Sequence, residues 1–203
     1  SRISSAVFAP DGKSVLTGSE DKTARLWDLD GREKAVFSGH SSAIYAVAWS
    51  PDGRNLLSGH SDSTARWWDM TQREVTPLAG HTGEVRAVAF SPESRRALTA
   101  SRDRTARVWS GRDSVIVLQG VHKRRLTGAA FSPDGKKVLT SCVDGYVVLW
   151  SLAGKSDTLM KSVLATNAVA FSPDGKSILA GMENSSGLIY PLDTSWTTTL
   201  RGH

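Results

Sequence analysis

Residues His40 to Gly80 read HSSAIYAVAWSPDGRNLLSGHSDSTARWWDMTQREVTPLAG, and four strands are legible in them. Ile44 to Ser50, Asn55 to Gly59, Ser63 to Asp69 and Glu74 to Leu78 are short runs separated by tight polar turns. The first joint, Ser50-Pro51-Asp52-Gly53, reverses the chain, because Pro presets one turn dihedral and Gly supplies the positive one. The second, Gly59-His60-Ser61-Asp62-Ser63, is built from small and Asx-type turn formers. No segment of the chain sustains a helical apolar period, so helix is excluded as a major element.

The same unit is written five times. Trp27, Trp68, Trp109 and Trp150 stand 41 residues apart, and Tyr190 follows after a step of 40. Phe8, Trp49, Phe90, Phe131 and Phe171 keep that interval, each followed two residues later by Pro10, Pro51, Pro92, Pro133 or Pro173. A repeat of this length is one supersecondary unit that needs its neighbours to bury its faces. Strand one, such as Val85 to Phe90, is nearly continuous in apolar or small residues and suits a strand covered on both sides. Strand four, such as Ser156 to Met160, is polar and belongs outermost. A buried-to-wet gradient across four antiparallel strands is what a radial blade requires, and the reading is an all-β β-propeller of five four-stranded blades. One region, 1–203, holds blades at about 1–38, 39–79, 80–120, 121–161 and 162–203.

Gly39-His40, Gly80-His81, Gly202-His203, the Pro-Asp-Gly turns, Asp21, Asp62, Asp103, Asp144 and the pairs Trp27-Asp28 and Trp68-Asp69 together resemble the WD-repeat family over the whole chain. The resemblance implies a hydrogen-bonded set inside each blade, made of the leading His, a Ser or Thr of strand two, the turn Asp and the Trp of strand three. Carried onto this sequence, the sets are His40, Ser58, Asp62, Trp68; His81, Thr99, Asp103, Trp109; and His122, Thr140, Asp144, Trp150. A half-buried Asp and an indole N–H both need partners, and the His links them. The fifth unit has Val163, Ala180, Asn184 and Tyr190 at these positions, a joint loss expected of groups that act as one network.

Recurring His and Asp also invite a reading as metal ligands or acid/base groups. Each set has one His and one Asp with no second carboxylate or thiolate beside them, so the structural role is preferred and neither catalytic residue, metal nor cofactor is expected. Cys142 excludes an internal disulfide and reads as a packed small side chain, at the place of Ser19, His60, Ser101 and Met182. There is no nucleophile elbow, phosphate loop or Cys/His metal spacing, and the expectation is no enzyme. With 39% hydrophobic and 22% charged residues, and no apolar run long enough for a span, the chain reads as soluble and globular. Nothing at the N-terminus resembles a signal peptide, so the expected compartment is the cytoplasm.

The net charge of +5 is dispersed. Arg25, Arg66 and Arg107 recur before the strand-three Trp and read as solvated blade edges, whereas Arg102, Arg104, Arg107 and His122-Lys123-Arg124-Arg125 form a tighter basic patch. In an up-and-down meander, the loops leading into strand one and those joining strands two and three share a face, which WD-repeat proteins commonly use for partners. Arg2, Tyr45, Glu84, Arg86, Arg102 and Arg125 stand there, and Tyr and Arg are frequent interface anchors. The expected function is a non-catalytic scaffold that binds a protein or acidic peptide across this face. Structural blades completing a larger propeller, and binding of nucleic acid or an anionic surface through the basic patch, are the alternatives. The resemblance also implies rings that usually have seven blades. Further blades from another segment or subunit, or self-association, are therefore expected in preference to a five-membered ring closed by His203.

Overall fold

A computed structural model describes residues 1–38, 41–72, 74–111, 114–193 and 197–201. The first sheet contains β1 (Ile3–Phe8), β2 (Ser14–Ser19), β3 (Ala24–Asp28) and β4 (Glu33–Phe37). The second has β5 (Ile44–Trp49), β6 (Asn55–His60), β7 (Ala65–Asp69) and β8 (Glu74–Leu78). The third has β9 (Val85–Phe90), β10 (Ala97–Ser101), β11 (Ala106–Trp109) and β12 (Val115–Leu118). The fourth is formed by β13 (Leu126–Phe131), β14 (Lys137–Cys142), β15 (Tyr146–Ser151) and β16 (Ser156–Lys161), and the fifth by β17 (Thr166–Phe171), β18 (Ser177–Met182), β19 (Gly187–Pro191) and β20 (Thr198–Leu200). Every sheet is a four-stranded antiparallel meander in sequence order. No helix occurs among the described residues.

The turns between strands one and two carry their dihedrals as the sequence requires. Gly12, Gly53, Gly135 and Gly175 have φ between 67° and 71°. The Gly53 amide donates to the Ser50 carbonyl at 2.9 Å, closing the reversal. In the third blade, which reads Pro92-Glu93-Ser94, Ser94 takes that conformation with φ 61°. Its hydroxyl also accepts the Asp52 amide of the second blade at 3.1 Å.

The cores lie between blades. Leu16 and Ala24 of the first blade cluster with Ile44, Val47 and Leu56 of the second. Leu57 and Ala65 meet Val85, Phe90 and Ala97, where Trp67 stands edge-on to Phe90 with ring centroids 4.9 Å apart. Leu98, Ala100 and Ala106 meet Leu126, Phe131 and Val138, and Leu139 and Val147 meet Ile178 and Ala180. Period-two alternation explains the pattern: in strand two of each blade, one residue faces the preceding blade and the next faces the following one. A fully buried Leu contributes about 2 kcal/mol relative to exposure, so these four interfaces are the main apolar stabilisation.

Strand one of the second to fifth blades packs on strands one and two of the blade before it, from β1–β2 against β5 through to β13–β14 against β17. Among the described residues no packing of comparable extent joins β17 or β18 to β1, and the five blades are not closed into a ring by themselves. The expectation that strand one is covered on both faces therefore fails at the ends, where Ile3 and Phe8 of β1 are exposed, as are Ala168 and Ala170 of β17.

Candidate functional site

The third blade holds a complete polar chain. The Trp109 indole N–H donates to Thr99 Oγ1 at 2.9 Å, Thr99 Oγ1 lies 2.8 Å from His81 Nε2, and His81 Nδ1 lies 2.7 Å from Asp103 Oδ2. One proton assignment satisfies every link, with Thr99 donating to Nε2 and Nδ1–H donating to the carboxylate. Asp103 also accepts the Thr82 and Thr105 amides and the Thr105 hydroxyl. Burial pushes this carboxyl up, but the bonds from His81 and Thr105 outweigh it and hold Asp103 far below the usual carboxylate range.

The fourth blade departs from this arrangement. Trp150 donates to Thr140 at 2.8 Å and Thr140 lies 2.7 Å from His122 Nε2, but His122 Nδ1 stands 3.9 Å from Asp144, too far for a hydrogen bond. Asp144 accepts the Lys123 and Tyr146 amides instead. Tyr146 occupies the place of Thr105, so the hydroxyl that draws carboxylate and imidazole together in the third blade is missing. Burial pulls the His122 imidazole down from its ordinary range, and the Asp144 charge only partly offsets this.

In the second blade, Trp68 donates to Ser58 at 3.0 Å, and Ser58 meets His60 Nε2 at 2.9 Å. His60 was missed in the sequence reading, although it falls two residues after Ser58 and hence on the same strand face. His40, expected in this set, lies outside the described residues, as do Gly39, Gly202 and His203. Asp62 accepts the Ser41 hydroxyl and the Thr64 amide and hydroxyl; despite the upward push of burial, the Thr64 bonds lower its pKa to about 2. In the fifth blade Ala180 is buried, Val163 is exposed and Asn184 accepts the Ser186 hydroxyl.

His122, Cys142 and Asp144 bring an imidazole nitrogen, a thiol sulfur and a carboxylate oxygen within 4.8 Å of one another. These are metal-capable atoms. Burial nevertheless pushes the Cys142 thiol up to about 12, away from the thiolate a metal needs, and its sulfur accepts the Asp144 amide at 3.5 Å. Ser101 takes the equivalent bond from Asp103 in the third blade.

One backbone bond recurs in every blade and defines the loop face. The residue before the turn Asp, or before Asn184 in the fifth blade, donates its amide to the carbonyl of the residue just before strand one: Glu20 to Arg2, Ser61 to Ala43, Arg102 to Glu84, Val143 to Arg125 and Glu183 to Ala165. These bonds bring the two loop sets side by side. Glu84 sits between two cations, accepting Arg86 Nε at 2.9 Å and Arg102 Nη1 at 2.9 Å. The Arg86 guanidinium stacks 3.8 Å from the Tyr45 ring centroid. Arg86, Arg102 and Arg125 line one shallow depression with Leu126, Thr127 and Asn167. Arg2 lies on the first blade, outside this depression, 3.9 Å from Glu20.

The wider basic patch is smaller than its sequence. His122 is buried, and Arg107 is half-buried with its guanidinium 5.9 Å from the Trp109 ring centroid. Arg25 is paired with Glu33 at 2.8 Å.

The WD domain, G-beta repeat profile matches residues 1–28, 31–69, 72–110 and 114–151, together more than half of the chain. The chain belongs to the WD-repeat family. The fifth repeat falls outside the matched WD segments, in keeping with its loss of the His, Asp and Trp positions. Among similar WD-repeat relatives, the General transcriptional corepressor TUP1 of Saccharomyces cerevisiae is 41% identical over 46 residues, 22% of this chain and 6% of that protein. WD repeat-containing protein 86 of Homo sapiens is 53% identical over 38 residues, 18% of this chain and 10% of that protein. The matched stretches thus span a tenth or less of either relative.

Proposed function

We propose that this WD-repeat chain is a non-catalytic scaffold that binds an acidic protein segment across its loop face. The observation that carries this reading is the convergence of Arg86, Arg102 and Arg125 on one depression, with Tyr45 held against Arg86. Glu84 pairs with two of the three guanidinium groups, so three positive charges face one negative charge and an anionic ligand is favoured. Among the described residues Arg125 has no carboxylate partner, which leaves it ready for a ligand's. Tyr45 and Arg86 supply a pre-formed flat surface of the kind that anchors interfaces. The open ends of the blade row also suit pairing with further blades.

The test is anisotropy of a labelled Asp/Glu-rich peptide with the wild type and with R86A/R102A/R125A. The triple variant is expected to lose binding while its melting temperature stays within a few degrees. Retained binding moves the site to another surface. A single-stranded oligonucleotide run in parallel tests the nucleic-acid reading; that reading wins if the oligonucleotide binds more tightly and its affinity falls linearly and steeply in log salt.

A further inference from the structure

The three arginines of the loop-face depression are not equivalent donors. Glu84 Oε2 accepts Arg86 Nε at 2.9 Å and lies 2.6 Å from Arg86 Nη2, so a single carboxylate oxygen occupies one whole edge of that guanidinium. The guanidinium carbon also lies 3.8 Å from the Tyr45 ring centroid. One edge held by a carboxylate and one face held by a ring fix the plane of Arg86, and its charge is already matched. Arg102 meets the other oxygen, Glu84 Oε1, through Nη1 alone at 2.9 Å.

A guanidinium carries its N–H donors in a fixed fork, so an edge that is filled cannot serve a second carboxylate. Arg102 keeps its Nε and Nη2 clear of any ion pair among the described residues. Arg125, on the fourth blade in the same depression, has no carboxylate partner there either, and exposed Asn167 follows on the fifth. The available donors therefore gather at Arg102 and Arg125. What Arg86 has left to offer is the guanidinium face away from Tyr45, since its side chain is still 38% exposed where it lines the depression.

We propose that Glu84 divides the depression into an anion subsite at Arg102 and Arg125 and a stacking subsite at Arg86, so that the segment bound there carries an aromatic residue beside its Asp or Glu. A planar cation with a ring on one face accepts a second ring on the other. A ligand carboxylate placed at Arg86 instead would share that guanidinium with Glu84 and be repelled by it. Glu84 is thus a positioning residue: it turns Arg86 from a charge contact into a flat surface. The inference rests on the proposed binding at the loop face and adds the ligand's second residue to it. Tyr45, Glu84, Arg86, Arg102 and Arg125 all belong to the second to fourth blades, each of which has a blade on both sides.

Anisotropy with two labelled Asp/Glu-rich peptides, identical except for Trp or Leu beside the central Glu, tests it on the wild type, R125A, R86K and E84Q. The wild type is expected to bind the Trp peptide about three- to tenfold more tightly than the Leu peptide. R125A weakens both by about tenfold and leaves that preference intact. R86K keeps a cation but loses the plane, so the Leu peptide binds as before and the preference disappears. E84Q removes a negative charge, so the Leu peptide binds more tightly while the preference falls; a merely structural loss would weaken both peptides alike. A wild type that binds both peptides equally overturns this inference and leaves acidic-peptide binding standing. A preference that survives R86K, or an R86K variant that loses both peptides as R125A does, overturns it as well. A wild type that binds neither peptide overturns the proposed function and this inference with it.

Discussion

His81 Nδ1 and Asp103 Oδ2 are 2.7 Å apart, whereas the corresponding atoms of His122 and Asp144 in the next blade do not hydrogen-bond. Asp103 receives four hydrogen bonds, from His81, from the Thr82 amide and from the Thr105 amide and hydroxyl. Removing it strands these donors, and D103A is expected to lower stability by about 1–3 kcal/mol. N184A, at the same place in the fifth blade, removes a single exposed bond and is expected to cost much less. Urea titrations of the two variants decide it; equal losses would show that the network contributes nothing beyond its local turn.

Equivalent leucines provide a second comparison. L139A opens a cavity in the interface between the fourth and fifth blades and is expected to cost about 2–5 kcal/mol. L179A is expected to stay within about 1 kcal/mol of wild type, because its site is already half open to water.

Acid stability follows from the shifted groups. Asp62 and Asp103 have pKa values lowered in the fold, so their contribution is complete above the ordinary value near 3.8 and is lost as pH falls through their folded values. His122 is also lowered, so below its ordinary value of 6.5 the unfolded chain binds a proton that the fold resists, and stability drops there first. Urea midpoints from pH 8 to 3 are expected to decline in two stages, with H122Q reducing the loss between pH 7 and pH 5.

Gly145 and Gly154 have nearly the same positive φ, 82° and 83°, but different surroundings. A Cβ at Gly154 meets nothing within 4 Å, and G154A is expected to cost about 1 kcal/mol for the left-handed backbone alone. At Gly145 it would overlap the Ser162 carbonyl and come within 2.7 Å of the Leu164 oxygen. G145A is expected to cost about 3 kcal/mol, read as a lower thermal midpoint than that of G154A.

Much of this was legible before any coordinates. The tryptophan spacing, the Pro-Asp-Gly turns and the alternation within strands are properties of short stretches, and short stretches suffice to specify a strand or a turn. The third-blade set was readable because its four members recur at fixed offsets. His60 was not read, since a histidine in a turn-like stretch carries no mark of whether its ring turns inward; the bond to Ser58 exists only once β6 is extended and paired with β7. The Arg86–Tyr45 stack likewise joins residues of adjacent blades, and only blade packing sets its 3.8 Å spacing.

By itself the sequence determined twenty strands' worth of local pattern, the five-fold repeat and the family, because each rests on residue types at fixed separations. Only the tertiary structure decided what identical positions do. Leu139 is buried and Leu179 is not, though both stand at the same place in their units, because burial is conferred by the neighbouring blade rather than by the residue. A Cβ at Gly59 would meet Val85 and Val88 of the next blade, whereas one at Gly181 would meet nothing within 4 Å, for the same reason.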